Sequence, residues 1–355
     1  MLDNHKLVLD TFCEVYDMLK PYRDGEFWDF AQVQDNIIPG AIYVIGRRQF
    51  LDYPDRIQEI AESGIATIIF SNPHEGSWTI VGQCTRLDIT RQVLAGKILI
   101  IGGGDMSPEY QCLRYDSFLP KVLDYEENLQ AQAEYARQWT SNRPYKFLFL
   151  NGRGRPHRQQ LLQHLQPLLD QAIWTNLDSA AGPVKILGPE YEFDFYRDKT
   201  TVTNEGYVKY ELFNDQWGEI YLRADPYLAT HFSLVTETVF EYPYSFRTEK
   251  IAKPLAIGHP FIAVSNAGYY RDLHNLGFRT WGNLIDESFD TIDDNDQRLK
   301  RIAQVVEDLC QQDLAKFSEE AYNVCKYNQQ HLAEIRLQIR KEFPERFRKF
   351  INERS

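Results

Sequence analysis

The sequence predicts an α/β protein of two doubly wound units followed by a helical tail. Three observations carry that prediction. Short apolar runs alternate with helix-compatible stretches through the first third of the chain, a second strand-like run starts abruptly at Lys146, and residues 296–353 are almost continuously helix-compatible. At 355 residues, 43% apolar and 14% aromatic, the chain is long enough for two domains and has the side chains to fill two cores.

Residues 3–20 place Leu7, Phe12, Val15, Tyr16 and Leu19 at roughly helical spacing, which predicts an opening helix. Ala41–Ile45, Ala66–Phe70 and Lys97–Ile101 read as buried strands, with a helix over Pro54–Ser63 stopped by Gly64. Residues 122–143 are polar and helix-compatible and read as a connector. The strand Lys146–Asn151 then leads into Gly152-Arg153-Gly154-Arg155-Pro156-His157-Arg158 and a helix bearing Leu161, Leu162, Leu165, Leu168 and Leu169. Pro156 suits the first helical position because its missing N–H is one of the unbonded donors there. Further apolar runs lie at Lys185–Leu187, Phe232–Val235 and Phe261–Ser265, with a helix near 249–257 and a break expected at Pro344.

Composition narrows the function classes. A formal charge of −12 argues against nonspecific attraction to nucleic acid or anionic membranes. Five scattered cysteines without a CxxC pair support neither a zinc site nor a disulfide framework, which fits a reduced, cytoplasmic setting. The N-terminal residues lack a signal-peptide pattern, and no apolar run reaches the roughly 18 to 20 residues that span a bilayer.

The chemistry concentrates at Thr248-Glu249-Lys250. Thr248 suits an N-cap, and the free first-turn amides, the helix dipole and the Lys250 ammonium make a place for anionic oxygen. Glu249 suits a pair of sugar hydroxyls. A cation for phosphate beside an anion for ribose points to a nucleotide. Arg153, Arg155, His157 and Arg158 cluster on a glycine-bearing strand-to-helix loop, where guanidinium forks bind phosphate or form a solvated basic helix start. Glu237, at the polar end of Ser233–Thr238, either binds sugar or ribose hydroxyls or caps a turn.

Strand-end Thr236-Glu237-Thr238, followed by Tyr244 through Val264 (YSFRTEKIAKPLAIGHPFIAV), resembles the donor-binding signature of the α1,3-fucosyltransferases and related GT-B glycosyltransferases. The motif likeness covers about residues 233–265, with looser support from 146–158, and the whole chain is similar to uncharacterised bacterial and phage glycosyltransferase-like proteins. The resemblance implies two Rossmann-like domains facing a central cleft, with C-terminal helices. It makes Lys250 the diphosphate contact, Glu249 the ribose contact and Arg153 a second phosphate ligand. Thr238 stands where that family has Asn, and Lys253-Pro254 replaces the Asn after the Lys turn, so guanine and fucose specificity do not carry over with the motif.

On this reading residues 1–140 form an acceptor-side domain, 141–296 the sugar-nucleotide domain, and 297–355 are helices packing back toward the first. The expected activity moves a hexosyl or pentosyl group from a nucleotide-diphosphate donor to an acceptor hydroxyl, with inversion and without a metal or other cofactor. The acceptor is a surface glycan or lipopolysaccharide precursor. Transfer to modified DNA bases, as in phage enzymes, and a non-catalytic sugar-nucleotide-binding module are the alternatives. For the general base the loops after two strands offer Glu75 first, then Asp105 and His74. Gly102-Gly103-Gly104 lacks the ending of a P-loop, and no metal-ligand spacing recurs; Asp286–Asp296 reads as a solvated acidic loop.

Overall fold

The structure, a computed structural model, describes residues 6–11, 13–20, 27–33, 36–151, 154–176, 185–186, 200–203, 206–210, 212–213, 216–217, 220 and 222–353. The chain divides into two compact α/β units, Met1–Ser117 with Arg336–Ser355, and Phe118–Ile335. The boundary thus lies at Ser117 rather than at 140. Of the tail expected over 297–355, only Arg336–Ser355 belongs to the first unit.

The first unit runs β1 (Lys6–Leu9), α1 (Tyr16–Leu19), β2 (Phe27–Asp29), β3 (Ala41–Gly46), α2 (Arg47–Asp52), α3 (Pro54–Ser63), β4 (Thr67–Asn72), α4 (Ser77–Arg86), α5 (Thr90–Leu94), β5 (Ile98–Gly102) and β6 (Cys112–Arg114). Its six strands are all parallel, in the order β2-β1-β3-β4-β5-β6. The opening helix expected over 3–20 is corrected to a strand and a single short helix. Leu7, Val8 and Leu9 form an unbroken apolar triple, and a parallel sheet covered on both faces buries all three. Leu7 and Leu9 face one core, with Ile42, Val44 and Ile69, and Val8 faces the other, with Tyr43, Ile68 and Phe70. The α3 stop is as read: Gly64 adopts φ 68°, the left-handed conformation that a residue without Cβ takes at least cost.

Gly46, at the end of β3, answers a different demand. Its φ of −79° suits any residue, but a Cβ there would sit 2.9 Å from the Oδ2 of buried Asp10. The same oxygen accepts a 3.1 Å hydrogen bond from the Gly46 amide. Gly46→Ala is expected to cost about 1–3 kcal/mol by overpacking. Urea titration of Gly46→Ala, Asp10→Ala and the double variant checks this: the double should cost clearly less than the sum, because both singles break one contact.

The second unit runs α6 (Phe118–Lys121), α7 (Glu126–Gln138), β7 (Tyr145–Asn151), α8 (Pro156–His164), β8 (Ala172–Asn176) and β9 (Lys185–Ile186). Two antiparallel ladders follow, β10 (Thr200–Thr203) with β11 (Gly206–Tyr210) and β12 (Leu212–Phe213) with β13 (Gln216–Trp217). Then come α9 (Asp225–Leu228), β14 (Thr230–Thr236), α10 (Glu249–Ile257), β15 (Phe261–Val264), α11 (Tyr269–Asn275), α12 (Asn295–Cys310) and α13 (Leu314–Asn352), whose residues from Arg336 on belong to the first unit. The sheet order is β15-β14-β7-β8-β9, parallel except for β9.

The C-terminal helical stretch divides between Cys310 and Leu314, not at Pro344, which α13 carries in its interior. The cost of that proline is offset where Phe343, Phe347 and Phe350 bury in the first unit's core. Pro254 is likewise carried inside α10, which keeps its full length to Gly258 at φ 77°.

Candidate functional site

In the second sheet β7 and β14 are neighbours whose chains continue in opposite directions, β7 to β8 and β14 to β15. That divergence is a topological switch point, and beyond the carboxyl ends at such a point is where open α/β sheets take ligands. Asn151 ends β7 and Thr236-Glu237 end β14. The Thr236 hydroxyl donates to Asn151 Oδ1 at 2.7 Å, while Asn151 Nδ2 is buried and makes no hydrogen bond to a described residue.

Two helix N-termini meet at Glu237. From α8, His157 Nε2 donates to the Glu237 carbonyl at 3.2 Å, and Arg158 donates to the Thr236 and Glu237 carbonyls at 2.9 and 3.3 Å. From α10, the Thr248 amide and hydroxyl donate to the two Glu237 carboxylate oxygens at 3.1 and 2.6 Å. Tyr269 adds a third donor at 3.0 Å. Each helix turns its partial positive end toward the same residue.

Thr248 is the N-cap expected of it: its hydroxyl accepts from the Lys250 amide at 3.2 Å. Glu249 is 6% exposed and bonds directly to the Lys250 ammonium, whose side chain keeps 25% exposure. Burial opposes the Glu249 charge, but Lys250 and Lys253 outweigh it and hold the carboxyl below its ordinary range. Glu237 goes the other way, raised by burial against the pull of Lys250 and the Thr248 donors. Burial, then Glu237, pushes the Tyr269 phenol well up, so it stays a donor.

The hydroxyl-binding role expected of Glu237 is corrected to a structural one. The residue is 0% exposed and its carboxylate is taken by Thr248 and Tyr269. It locks the α10 N-terminus to the end of β14 and so positions Glu249 and Lys250. Arg153 lies outside the described residues. His157 and Arg158, from the same basic cluster, are buried struts and not solvated charges. Burial, with Arg158 next, lowers the His157 imidazole to about 3, and its ring stacks on Phe240 at a centroid distance of 5.0 Å.

Sequence reasoning missed Arg247, Tyr269 and Asn151. Arg247 is fully buried, and its charge reaches Tyr269. An arginine directly before a capping threonine is a faint signal; Tyr269 and Asn151 carry none, because only the fold brings 151, 237 and 269 together.

In the first unit Asp105 is ion-paired to Arg114 at 2.7 Å, and Arg114 also binds Asp116 at 3.0 Å. His74 Nε2 lies 3.2 Å from a carboxylate oxygen of Glu14. Glu75 is placed by its main chain, its amide bonding to Asn72 and its carbonyl accepting from Gly103. At Gly102 a Cβ would lie 2.9 Å from Ile80 Cδ1, so a larger residue there would displace that side chain.

No group of three or more His, Cys, Asp or Glu side chains among the described residues is arranged to hold a metal ion. No helix among the described residues is long and apolar enough to cross a membrane. No protein-family model matches the chain, and no curated protein matches it in sequence.

Proposed function

We propose that the second unit binds a sugar nucleotide and that the chain is a glycosyltransferase. The single observation that carries this reading is the meeting of the α8 and α10 N-termini at the sheet's switch point, with Lys250 as the part-exposed cation beside them. Two helix N-termini and an ammonium suit a diphosphate, whose charge they would hold as it becomes the leaving group. Glu249, kept ionised by Lys250, is the acceptor for ribose hydroxyls once the ligand draws Lys250 toward phosphate.

The likeness of residues 233–265 to the fucosyltransferase donor motif supports the same assignment. In this reading the two α/β units are the two halves of a GT-B enzyme. The second carries the donor, the first the acceptor, and transfer proceeds with inversion and with Lys250 in place of a metal ion. The acceptor is a glycan-type hydroxyl.

A thermal-shift panel of nucleoside diphosphates and nucleotide sugars tests the reading. A true ligand at a hundredfold excess over its Kd is expected to stabilise the protein by about 2.7 kcal/mol. Lys250→Ala should weaken that ligand at least about tenfold, the scale of one charge-assisted phosphate contact of about 1.4 kcal/mol or more. Unchanged affinity in Lys250→Ala, or no stabilisation by any nucleotide, would overturn it. Binding without slow hydrolysis of the nucleotide sugar would leave a binding module in place of an enzyme.

A further inference from the structure

The first sheet has its own switch point, between β1 and β3: β1 continues outward to β2 while β3 continues to β4 on the other side. The segments beyond the carboxyl ends of β1 and β4 carry Glu14 and His74, which meet at 3.2 Å although sixty residues of chain separate them. Both side chains are about one-quarter exposed, 24% and 26%, so the pair is braced by the protein and reachable from water.

We infer that this rim is the acceptor site, that His74 is the catalytic residue taking the acceptor hydroxyl's proton, and that Glu14 is its positioning residue. The inference rests on the glycosyltransferase reading above. Nucleophile activation asks for a base that a third group orients, and a carboxylate hydrogen-bonded to an imidazole nitrogen fixes the ring's tautomer and stabilises the imidazolium that forms. Among the three base candidates on this rim, only His74 has that arrangement. Asp105 is committed to Arg114. Glu75 has its main chain anchored, while no described residue bonds its side chain.

The chemistry balances without a further reactant. The acceptor oxygen bonds to the anomeric carbon as the bond from that carbon to the diphosphate oxygen breaks. The hydroxyl proton passes to His74, and the nucleoside diphosphate leaves with the bonding pair.

The same rim indicates the acceptor's class. Trp78, in the first turn of α4 and four residues beyond His74, is 62% exposed and offers an aromatic face to the apolar side of a sugar ring. Glu14, Glu75, Asp105 and Asp116 stand along the rim, and Arg114 is already bound to two of them. Arg47 and Arg48, at the start of α2, and Arg346, whose guanidinium donates to the Arg114 carbonyl at 2.7 Å, are further cations there, and Arg48 is paired with Asp52 at 3.5 Å. With these guanidiniums offsetting the carboxylates, the rim suits an uncharged sugar, held through the exposed Trp78 face.

The test uses the full chain with the nucleotide sugar selected by the thermal-shift panel, and p-nitrophenyl glycosides and a hydroxymethylated DNA duplex as acceptors. His74→Ala is expected to lower kcat by about 10²–10⁴-fold, with the donor's thermal shift unchanged and activity partly restored by added imidazole. Glu14→Gln, which keeps a hydrogen-bonding side chain, should lose about tenfold or more in kcat at unchanged donor KM. Trp78→Ala should raise the KM for the glycoside and leave the donor's thermal shift alone. The inference is overturned if His74→Ala stays within about threefold of the parent, if Glu75→Gln rather than His74→Ala stops transfer, or if the DNA duplex is the acceptor used. A panel in which no nucleotide binds removes the glycosyltransferase reading itself, a failure distinct from loss of the dyad in a protein that still binds donor.

Discussion

Replacing Arg298 with alanine is expected to remove about 3–5 kcal/mol of stability, the range for deleting a large buried side chain that satisfies several buried carbonyls. The side chain is 2% exposed near the start of α12. Its guanidinium donates to four main-chain carbonyls, Ser265 at 3.1 Å, Ile292 at 2.8 Å, Asp293 at 3.2 Å and Phe240 at 2.8 Å. It also bonds Asn295 Oδ1 at 2.5 Å and lies over the Phe240 ring, 4.5 Å from its centroid. One planar fork thus ties the segment after Glu237, the end of β15 and the loop before α12 to a single point.

Alanine leaves the buried carbonyls without donors and opens a void, so desolvation and packing losses add. Lysine, with a point charge in place of a fork, should recover less than half of the loss. Urea denaturation followed by far-UV circular dichroism measures both variants. A loss below about 1 kcal/mol in Arg298→Ala would mean that water replaces the guanidinium at these carbonyls. Because Phe240 follows Glu237 closely, the nucleotide binding proposed above should weaken in the same variant even where the fold survives.

Acidification below pH 6.5 is expected to destabilise the second unit through His157, His231 and His259, three histidines held neutral by burial. Burial lowers His157 to about 3 and His231 to about 4, and it takes His259 well below its ordinary value. Their hydrogen bonds agree with neutral rings. His259 Nε2 donates to the Thr230 carbonyl at 2.7 Å while Nδ1 accepts from Ser233 at 2.9 Å. His231 Nδ1 donates to Ser318, whose own hydroxyl is spent on the Leu314 carbonyl.

These folded-state pKa values are depressed, so the unfolded chain binds protons that the native state refuses. The stability these sites contribute is therefore whole above about pH 6.5 and drains as pH falls toward the folded values. Each refused proton contributes a slope of about 1.4 kcal/mol per pH unit, or about 2 kcal/mol by pH 5. Urea titrations between pH 7 and 5 should show this loss. His157→Gln, which keeps a donor for the Glu237 carbonyl, should flatten the slope by about 1.4 kcal/mol per pH unit. An unchanged slope in that variant would show that His157 does protonate in the folded state.

Much of the fold was legible because its signals are local. The runs at 41–45, 66–70 and 97–101 became β3, β4 and β5, and Gly64 and Gly258 ended helices at φ 68° and 77° as their sequence positions suggested. Thr248 was legible as an N-cap for the same reason. Leu7-Val8-Leu9 was not, since a three-residue apolar run has no period by which strand and helix differ. Pro344 was misread as a break because its cost is local while the aromatic packing that offsets it is tertiary.

The site divides along the same line. Thr248-Glu249-Lys250 could be found from residue types alone, since a cap, a dipole and a charge act within one turn of helix. What Glu237 does could not: a strand-end carboxylate looks the same whether it meets a ligand or a neighbouring helix. The sequence by itself determined two α/β units, the capped tip of α10 and the acidic charge of the whole. Only the tertiary structure decided that Glu237 is a strut, that α8 and α10 aim their N-termini at one residue, and that Glu14 reaches His74. Those contacts join residues from 11 to 80 positions apart, and chain separation of that size is closed by packing, which leaves no local pattern to read.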